Sequence, residues 1–165
     1  MNTTHPINWS FVIPLLIFTL SLGALASAYT AQYVFGLEPC ILCLWQRAPF
    51  AAAAVLGIMG MGIRPGKWLA LIVALAGAVF LSGAGIAAYH VGVERHWWVS
   101  GCTGRPALDI GIQDLKAMLL KKPPKPCDQD IWTVFGLSMA AYNVAFSLAL
   151  AVGSFAGARK ILNRN

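Results

Sequence analysis

The chain has 165 residues, 58% hydrophobic and only 11% charged, with a mean hydropathy of +0.68. Soluble domains carry about 25% charged residues, so the composition favours an integral membrane protein, read here as a single membrane domain over residues 1–165. The net charge of +6 sits at segment ends or in one Pro-rich loop, with no basic face interleaved with aromatics. That excludes nucleic acid as a partner and points to the headgroups of a lipid bilayer.

Four runs are long and apolar enough to cross a hydrocarbon core of roughly 30 Å at about 1.5 Å per residue. They lie at about 11–33, 44–62, 68–90 and 134–157. Soluble core helices would need polar faces that these runs lack. Each run is rich in small residues, as in Ser82-Gly83-Ala84-Gly85 and Gly153-Ser154-Phe155-Ala156-Gly157. Small residues let membrane helices approach closely, so the expected fold is all-α, an integral membrane four-helix bundle. The first run contains Ala24-Leu25-Ala26-Ser27-Ala28, which resembles a signal-peptide cleavage site. Residues 1–10 hold no Lys or Arg, however, and the run stays apolar past Ala28. A retained helix is the expectation.

The connections are unequal. Residues 63–67 form a tight turn, whereas loops 34–43 and 91–133 carry all four cysteines. With four spans, both cysteine loops fall on one side, and the termini and short turn fall on the other. The turn and C-terminus contribute Arg64, Lys67, Arg159, Lys160 and Arg164, five cations. The cysteine side contributes Arg47, Arg95, Arg105, Lys116, Lys121, Lys122 and Lys125, seven. The simple positive-inside count therefore places the cysteines inside. Close to the span ends the balance reverses, and thiol–disulfide chemistry belongs on the oxidising side of a membrane. The expectation is that the cysteine loops face outward. In the longer loop, Leu108, Ile112, Leu115 and Leu119 recur at helical spacing, so residues 107–120 read as an interfacial amphipathic helix. Lys121-Lys122-Pro123-Pro124-Lys125-Pro126 then makes a stiff, extended lead into Cys127.

Cys40 and Cys43 form a Cys-Ile-Leu-Cys motif. Two sulfurs at this spacing can close and open a small ring, which makes the pair redox-capable. Pro39 disfavours helix before the motif, and the second helix is expected to start at about Cys43. A Cys43 thiolate there would face the positive end of a helix dipole, with Arg47 one turn further along the same face. The alternative is half of a zinc site, which Cys102 and Cys127 would have to complete. Those two cysteines could instead form a disulfide that staples a loop, stabilising by about 3–4 kcal/mol, or a pair that shuttles electrons with the CxxC. The redox readings are preferred, and no metal is expected.

His90 ends the third run, where it could hydrogen-bond a carbonyl, pass a proton or anchor the interface. His96 with Trp97 and Trp98 reads as an interfacial aromatic belt. Trp132 could anchor the fourth helix or line a pocket for a ring. Arg95 and Arg105 read as headgroup contacts, and His5 suggests nothing.

Taken together, Cys40-Ile41-Leu42-Cys43, Arg47, His90, Cys102, Cys127 and the passage Cys127-Asp128-Gln129-Asp130-Ile131-Trp132 into Phe135-Gly136-Leu137-Ser138-Met139 resemble the disulfide bond formation protein B (DsbB) quinone oxidoreductases. The resemblance covers most of the chain. It implies a protein-disulfide oxidoreductase of the bacterial inner membrane, with periplasmic cysteine loops and cytoplasmic termini. Its cofactor would be a membrane quinone, ubiquinone or menaquinone, drawn from the quinone pool. The position matching Cys43 engages the quinone ring directly, and those matching Arg47 and His90 assist its reduction, with Trp132 a further candidate in the ring pocket. Tyr89 stands where the best-studied member has an acidic residue.

The resemblance also implies redox-active disulfides Cys40–Cys43 and Cys102–Cys127, the outer one exchanging with a periplasmic DsbA-like protein of thioredoxin fold. Cys127 is then expected to form the mixed disulfide, and Cys102 to attack Cys40. A partner of that type is a strong oxidant at about −120 mV, so thiol exchange alone runs uphill and the quinone supplies the drive. A vitamin K epoxide reductase-like thiol-dependent quinone reductase is the alternative enzyme, although its CxxC usually lies late in the bundle. A scaffold with structural disulfides or a metal is the non-enzymatic one.

Overall fold

The computed structural model describes residues 8–99, 102, 125–128 and 133–163. Its elements in chain order are α1 (Trp9–Tyr33), α2 (Ile41–Trp45), α3 (Arg47–Met61), α4 (Lys67–Glu94), a hairpin of β1 (Thr133–Val134) and β2 (Leu137–Ser138), and α5 (Met139–Leu162). α2 and α3 together make one span, so four stretches are long and apolar enough to cross a membrane: Trp9–Tyr33, Ile41–Met61, Lys67–Glu94 and Met139–Leu162. The expected four-helix membrane bundle is what forms.

The boundaries differ from the sequence reading in ways that matter. The second span starts at Ile41 rather than Cys43, with Cys40 as its N-cap in extended backbone. Pro39 ends the preceding extended stretch, and the Cys40 sulfur accepts the Cys43 N–H, so the helix nucleates at the motif itself. The break between α2 and α3 falls at Gln46, which stays helical at φ −66° and ψ −18°. Pro49 lies three residues on; it removes one backbone donor and crowds the carbonyl one turn back. The third span runs one turn past His90 to Glu94, so His90 lies inside the helix. It closes at Arg95 with His96 in the left-handed region (φ 57°) and Trp97 N–H bonded back to Gly92 O at 2.9 Å. This 6→1 bond marks a Schellman end.

The expected start of the fourth span at 134 is instead a small hairpin, an addition to the all-α expectation. Phe135 (φ 51°) and Gly136 (φ 78°) both take positive φ, the signature of a type I′ turn. Ser138 then caps α5 by accepting the Ala141 N–H at 3.3 Å. The proposed helix 107–120, the Lys-Pro lead as far as Pro124, Arg105 and Trp132 lie outside the described residues.

The bundle is built on small residues. Ala53, Ala76 and Ala87 are fully buried, as is Ser21, whereas Val152 is 68% exposed and Leu71, Leu75 and Leu81 are also outward. Large apolar side chains facing out and small ones facing in suit a lipid solvent, where close backbone approach, not apolar burial, holds helices together. α4 makes its broadest contact with α5 and also packs on α3, and α1 packs mainly on α3. Lys160 lies 3.3 Å over the Trp9 ring, which puts the start of α1 and the end of α5 at the same end, away from the cysteines.

A Cβ at Gly57 would lie 2.8 Å from the Phe18 backbone N. Gly57→Ala should therefore force α1 and α3 apart and cost about 1–3 kcal/mol. Gly153→Ala, which meets open space, should instead be neutral or raise stability by about 0.5–1 kcal/mol through helix propensity. Thermal unfolding of the two variants in the same detergent checks the opposite signs.

Candidate active site

Four elements converge at the cysteine end of the bundle. Cys40 and Cys43 flank the first turn of α2, with their sulfurs 2.8 Å apart and unbonded. Cys102 and Cys127 are joined as a disulfide, with Cα atoms 5.6 Å apart and the Cys127 N–H bonded to Cys102 O at 3.2 Å. The two pairs are in contact: Cys40, Cys127 and Val93 form one buried cluster, with Leu42, Cys43 and Cys102 packed on it. Cys40 and Cys127 are each 1% exposed, and Cys102 is the more open member of the outer pair.

His90 ties this cluster to the bundle. Its Nε2 lies 3.6 Å from Cys40 Sγ and 3.6 Å from Glu94 Oε1, one helical turn on. Its Nδ1 lies 2.8 Å from Gln46 Nε2. Asn143 on α5 donates to Gln46 Oε1 at 2.6 Å, and Ser147 donates to Asn143 Oδ1 at 3.1 Å. Gln46, Asn143 and Glu94 were not singled out from sequence. A signal was there, because a polar side chain in an apolar span is costly unless bonded and marks a functional position by default.

Arg47 departs from its expected setting. It does not bond Cys43; its guanidinium donates to Gln32 Oε1 at 2.6 Å and lies 4.8 Å over the Tyr29 ring, both on α1. It still borders the same space as Cys43. A cavity of about 530 Å³ runs between α1, α3, α4 and α5. Its apolar wall includes Leu20, Ala24, Phe50, Met139 and Phe146, and its polar groups include Cys43, Gln46, Arg47, His90 and Asn143. Tyr89 does not face it. That residue stacks on Trp98 at 5.7 Å and lines a shallower space with Leu42, Trp45 and Ile86.

The stabilised sulfur is also not the expected one. Because Cys40 caps the helix, it, not Cys43, receives the donors. The Cys43 thiol hydrogen-bonded to it holds the Cys40 thiol below the usual thiol range, aided by His90 and the Cys43 N–H and opposed by burial. The alternative of a four-sulfur zinc site is not assembled, because Cys102 and Cys127 are bonded to each other. Cys40, Cys43 and His90 do offer three donor atoms within 4.8 Å of one another, a set able to hold a soft ion when both thiols are reduced.

The lowered Cys40 value gives a pH test. In a Cys102→Ser/Cys127→Ser variant only the CxxC titrates as thiols. Its ultraviolet thiolate absorbance should be present at neutral pH and persist into the acid range before it is lost. An ordinary thiol, with a pKa of about 8.5, has lost nearly all of it by about pH 7.

The comparisons with known proteins show the family of the chain. The family model for disulfide bond formation protein DsbB matches residues 10–157. A disulfide bond formation protein B of Burkholderia thailandensis is 30% identical over 149 residues, covering 90% of this chain and 83% of that protein. One of Xanthomonas axonopodis pv. citri is 32% identical over 156 residues, covering 90% of each. An uncharacterized protein of Rickettsia prowazekii is 30% identical over 145 residues, covering 86% of this chain and 83% of that one. No solved structure matches. The chain is a multi-pass membrane protein of the DsbB disulfide bond formation family.

Proposed function

We propose that the protein is a quinone-dependent thiol:disulfide oxidoreductase of the bacterial inner membrane, built as one membrane domain, that reoxidises a periplasmic DsbA-like protein. One observation carries the reading: an outer disulfide, an inner thiol pair and an apolar cavity bordered by a fixed cation meet around one histidine. With the cysteine loops periplasmic, the parity of four spans supports cytoplasmic termini.

Burial supports a direction for the relay that reverses the roles expected from the resemblance. Cys102 is half-buried, whereas Cys127 is closed to solvent in one cluster with Cys40. A partner thiolate attacks Cys102 Sγ, forming a mixed disulfide and releasing Cys127 as thiolate. Cys127 attacks Cys40 Sγ, the Cys40–Cys43 bond breaks, and Cys43 takes the electron pair. The partner's second thiol resolves the mixed disulfide and leaves the partner oxidised. The freed Cys102 then attacks Cys127 and displaces Cys40 as thiolate. The net result is an oxidised partner and a reduced CxxC.

Closing Cys40–Cys43 again releases two electrons and two protons, and a quinone is an acceptor class that takes up both. The cavity fits such a ring in size, since ligand pockets commonly span about 300–1,000 Å³, and in its chemistry of apolar walls with few polar groups. Cys43 borders it directly. Arg47 is held there by an amide oxygen and a phenol ring, both neutral, so neither cancels its charge. A charge that cannot be lost by deprotonation attracts developing anionic oxygen strongly in low dielectric.

Two outcomes test the reading. Incubated with reduced DsbA-like partner, Cys127→Ser should accumulate a mixed disulfide at Cys102, and Cys102→Ser should not; the reverse pattern on non-reducing gels would return the roles to those first expected. In Arg47→Gln, kcat/KM for quinone should fall about 10–100-fold, the equivalent of losing a charge-assisted hydrogen bond, while exchange between partner and the outer pair stays near normal. Unchanged quinone kinetics would leave Arg47 as a headgroup anchor only.

A further inference from the structure

We infer that Gln46 and Asn143 are positioning residues: their side-chain amides form a polarised chain that holds His90 as its Nε2–H tautomer, with that hydrogen directed at Cys40 Sγ. The consequence drawn for Cys40 rests on the proposed redox role of that sulfur. The tautomer itself does not.

The chain starts from a hydroxyl. Ser147, 1% exposed, donates to Asn143 Oδ1 at 3.1 Å. Asn143 is then left with Nδ2, which donates to Gln46 Oε1 at 2.6 Å. Gln46 in turn has only its Nε2 end for the ring, and this lies 2.8 Å from His90 Nδ1. An amide nitrogen can only donate, so Nδ1 must accept and carries no hydrogen. In the neutral ring the hydrogen is therefore on Nε2.

The far side of the ring gives the same answer independently. Nε2 faces Cys40 Sγ and Glu94 Oε1, each at 3.6 Å, and the Cys127 backbone also approaches the ring. Sulfur and carboxylate both want a donor. Reversing every amide would put an oxygen against Nδ1, move the hydrogen there, and set the Nε2 lone pair against two acceptors. The other nitrogen's partner commonly selects a histidine tautomer. Here the selecting group comes from the α2–α3 junction and is oriented in turn from α5, 97 residues away in sequence.

The tautomer matters for the sulfur. A donor on Nε2 stabilises the Cys40 thiolate whenever it is displaced, and a lone pair there would oppose it. Loss of one such charge-assisted hydrogen bond corresponds to about a tenfold change in ionisation.

The test is nitrogen NMR of the reduced full-length protein, labelled with ¹⁵N-histidine and held in lipid nanodiscs. The His90 resonances are assigned by their loss in His90→Gln. Wild type should show a protonated Nε2 and a bare Nδ1. Asn143→Asp keeps the shape but can only accept from Gln46. It should turn that amide, move the hydrogen to Nδ1, and weaken the Cys40 thiolate about tenfold in acidity. Asn143→Leu should leave the two tautomers mixed. A protonated Nδ1 in the wild type, or an unchanged tautomer in both variants, overturns the inference. Should neither variant fold, the wild-type spectrum alone decides. Failure of the redox reading looks different: the wild-type tautomer would be as stated, while the CxxC would not be oxidised by quinone.

Discussion

Burying an imidazole ring in a membrane helix is costly unless its nitrogens are bonded, and much of this structure meets that constraint at His90. The ring lies one turn inside α4 and is 4% exposed, so protein groups have to serve most of its bonding. Gln46 from the α2–α3 junction and Cys40 from the motif take its two sides. Asn143 and Ser147 bring in α5. Three spans are thus held in register by the same bonds that place a ring nitrogen beside the buried sulfur. Stability and chemistry share one set of contacts here, so a change in the polar chain is felt in both.

The close packing that makes such bonds short comes from glycine. A Cβ on Gly83 would meet Pro49 at 3.1 Å and Ser147 at 3.8 Å, and one on Gly77 would meet Phe155 and Ser154 at 3.2 Å. Those missing side chains let α3 and α5 sit close against α4, with Gly83 two turns from His90 on the same helix. The Pro49 that fits over Gly83 also loosens the helix at Gln46, next to the residue whose amide must turn toward His90. The continuation of α4 to Glu94 completes the arrangement, because a carboxylate one turn beyond His90 reaches the same ring nitrogen as Cys40.

Much of this was legible in the sequence. Four apolar runs rich in small residues specify a membrane bundle, since length and hydropathy decide spanning almost without tertiary context. The CxxC, Arg47 and His90 were legible as chemistry, and the structure brings Cys43, Arg47 and His90 to one cavity. The partners of these groups were not. Gln46, Asn143 and Gln32 are single polar residues on separate helices, and which of them meet depends on helix rotation, which hydropathy does not encode. The identity of the stabilised sulfur was missed for a local reason. A helix start displaced by two residues, from Cys43 to Ile41, moves the cap from one cysteine to the other. The hairpin at 133–138 was also missed, because Phe135 in the left-handed region is a rare choice for an aromatic residue.

The burial pattern bears on why two cysteine pairs are used rather than one. A sulfur that serves an acceptor in the membrane has to border the apolar cavity, as Cys43 does, and its mate Cys40 is closed to solvent. A sulfur that serves a soluble protein has to be open, as Cys102 is more than its mate. No single pair meets both demands across a loop as short as Ile41-Leu42. The Cys102–Cys127 pair bridges these demands in the proposed relay, with Cys102 half-buried and Cys127 closed to solvent in one cluster with Cys40. Exchange between the pairs then needs no large movement of the membrane helices, only the making and breaking of sulfur bonds within one buried cluster. Of the fixed groups around that cluster, the helix cap, the imidazole donor and the guanidinium favour negative sulfur or oxygen, and the Glu94 carboxylate opposes it. In the proposed relay, such groups would draw electrons from the outer disulfide toward the cavity.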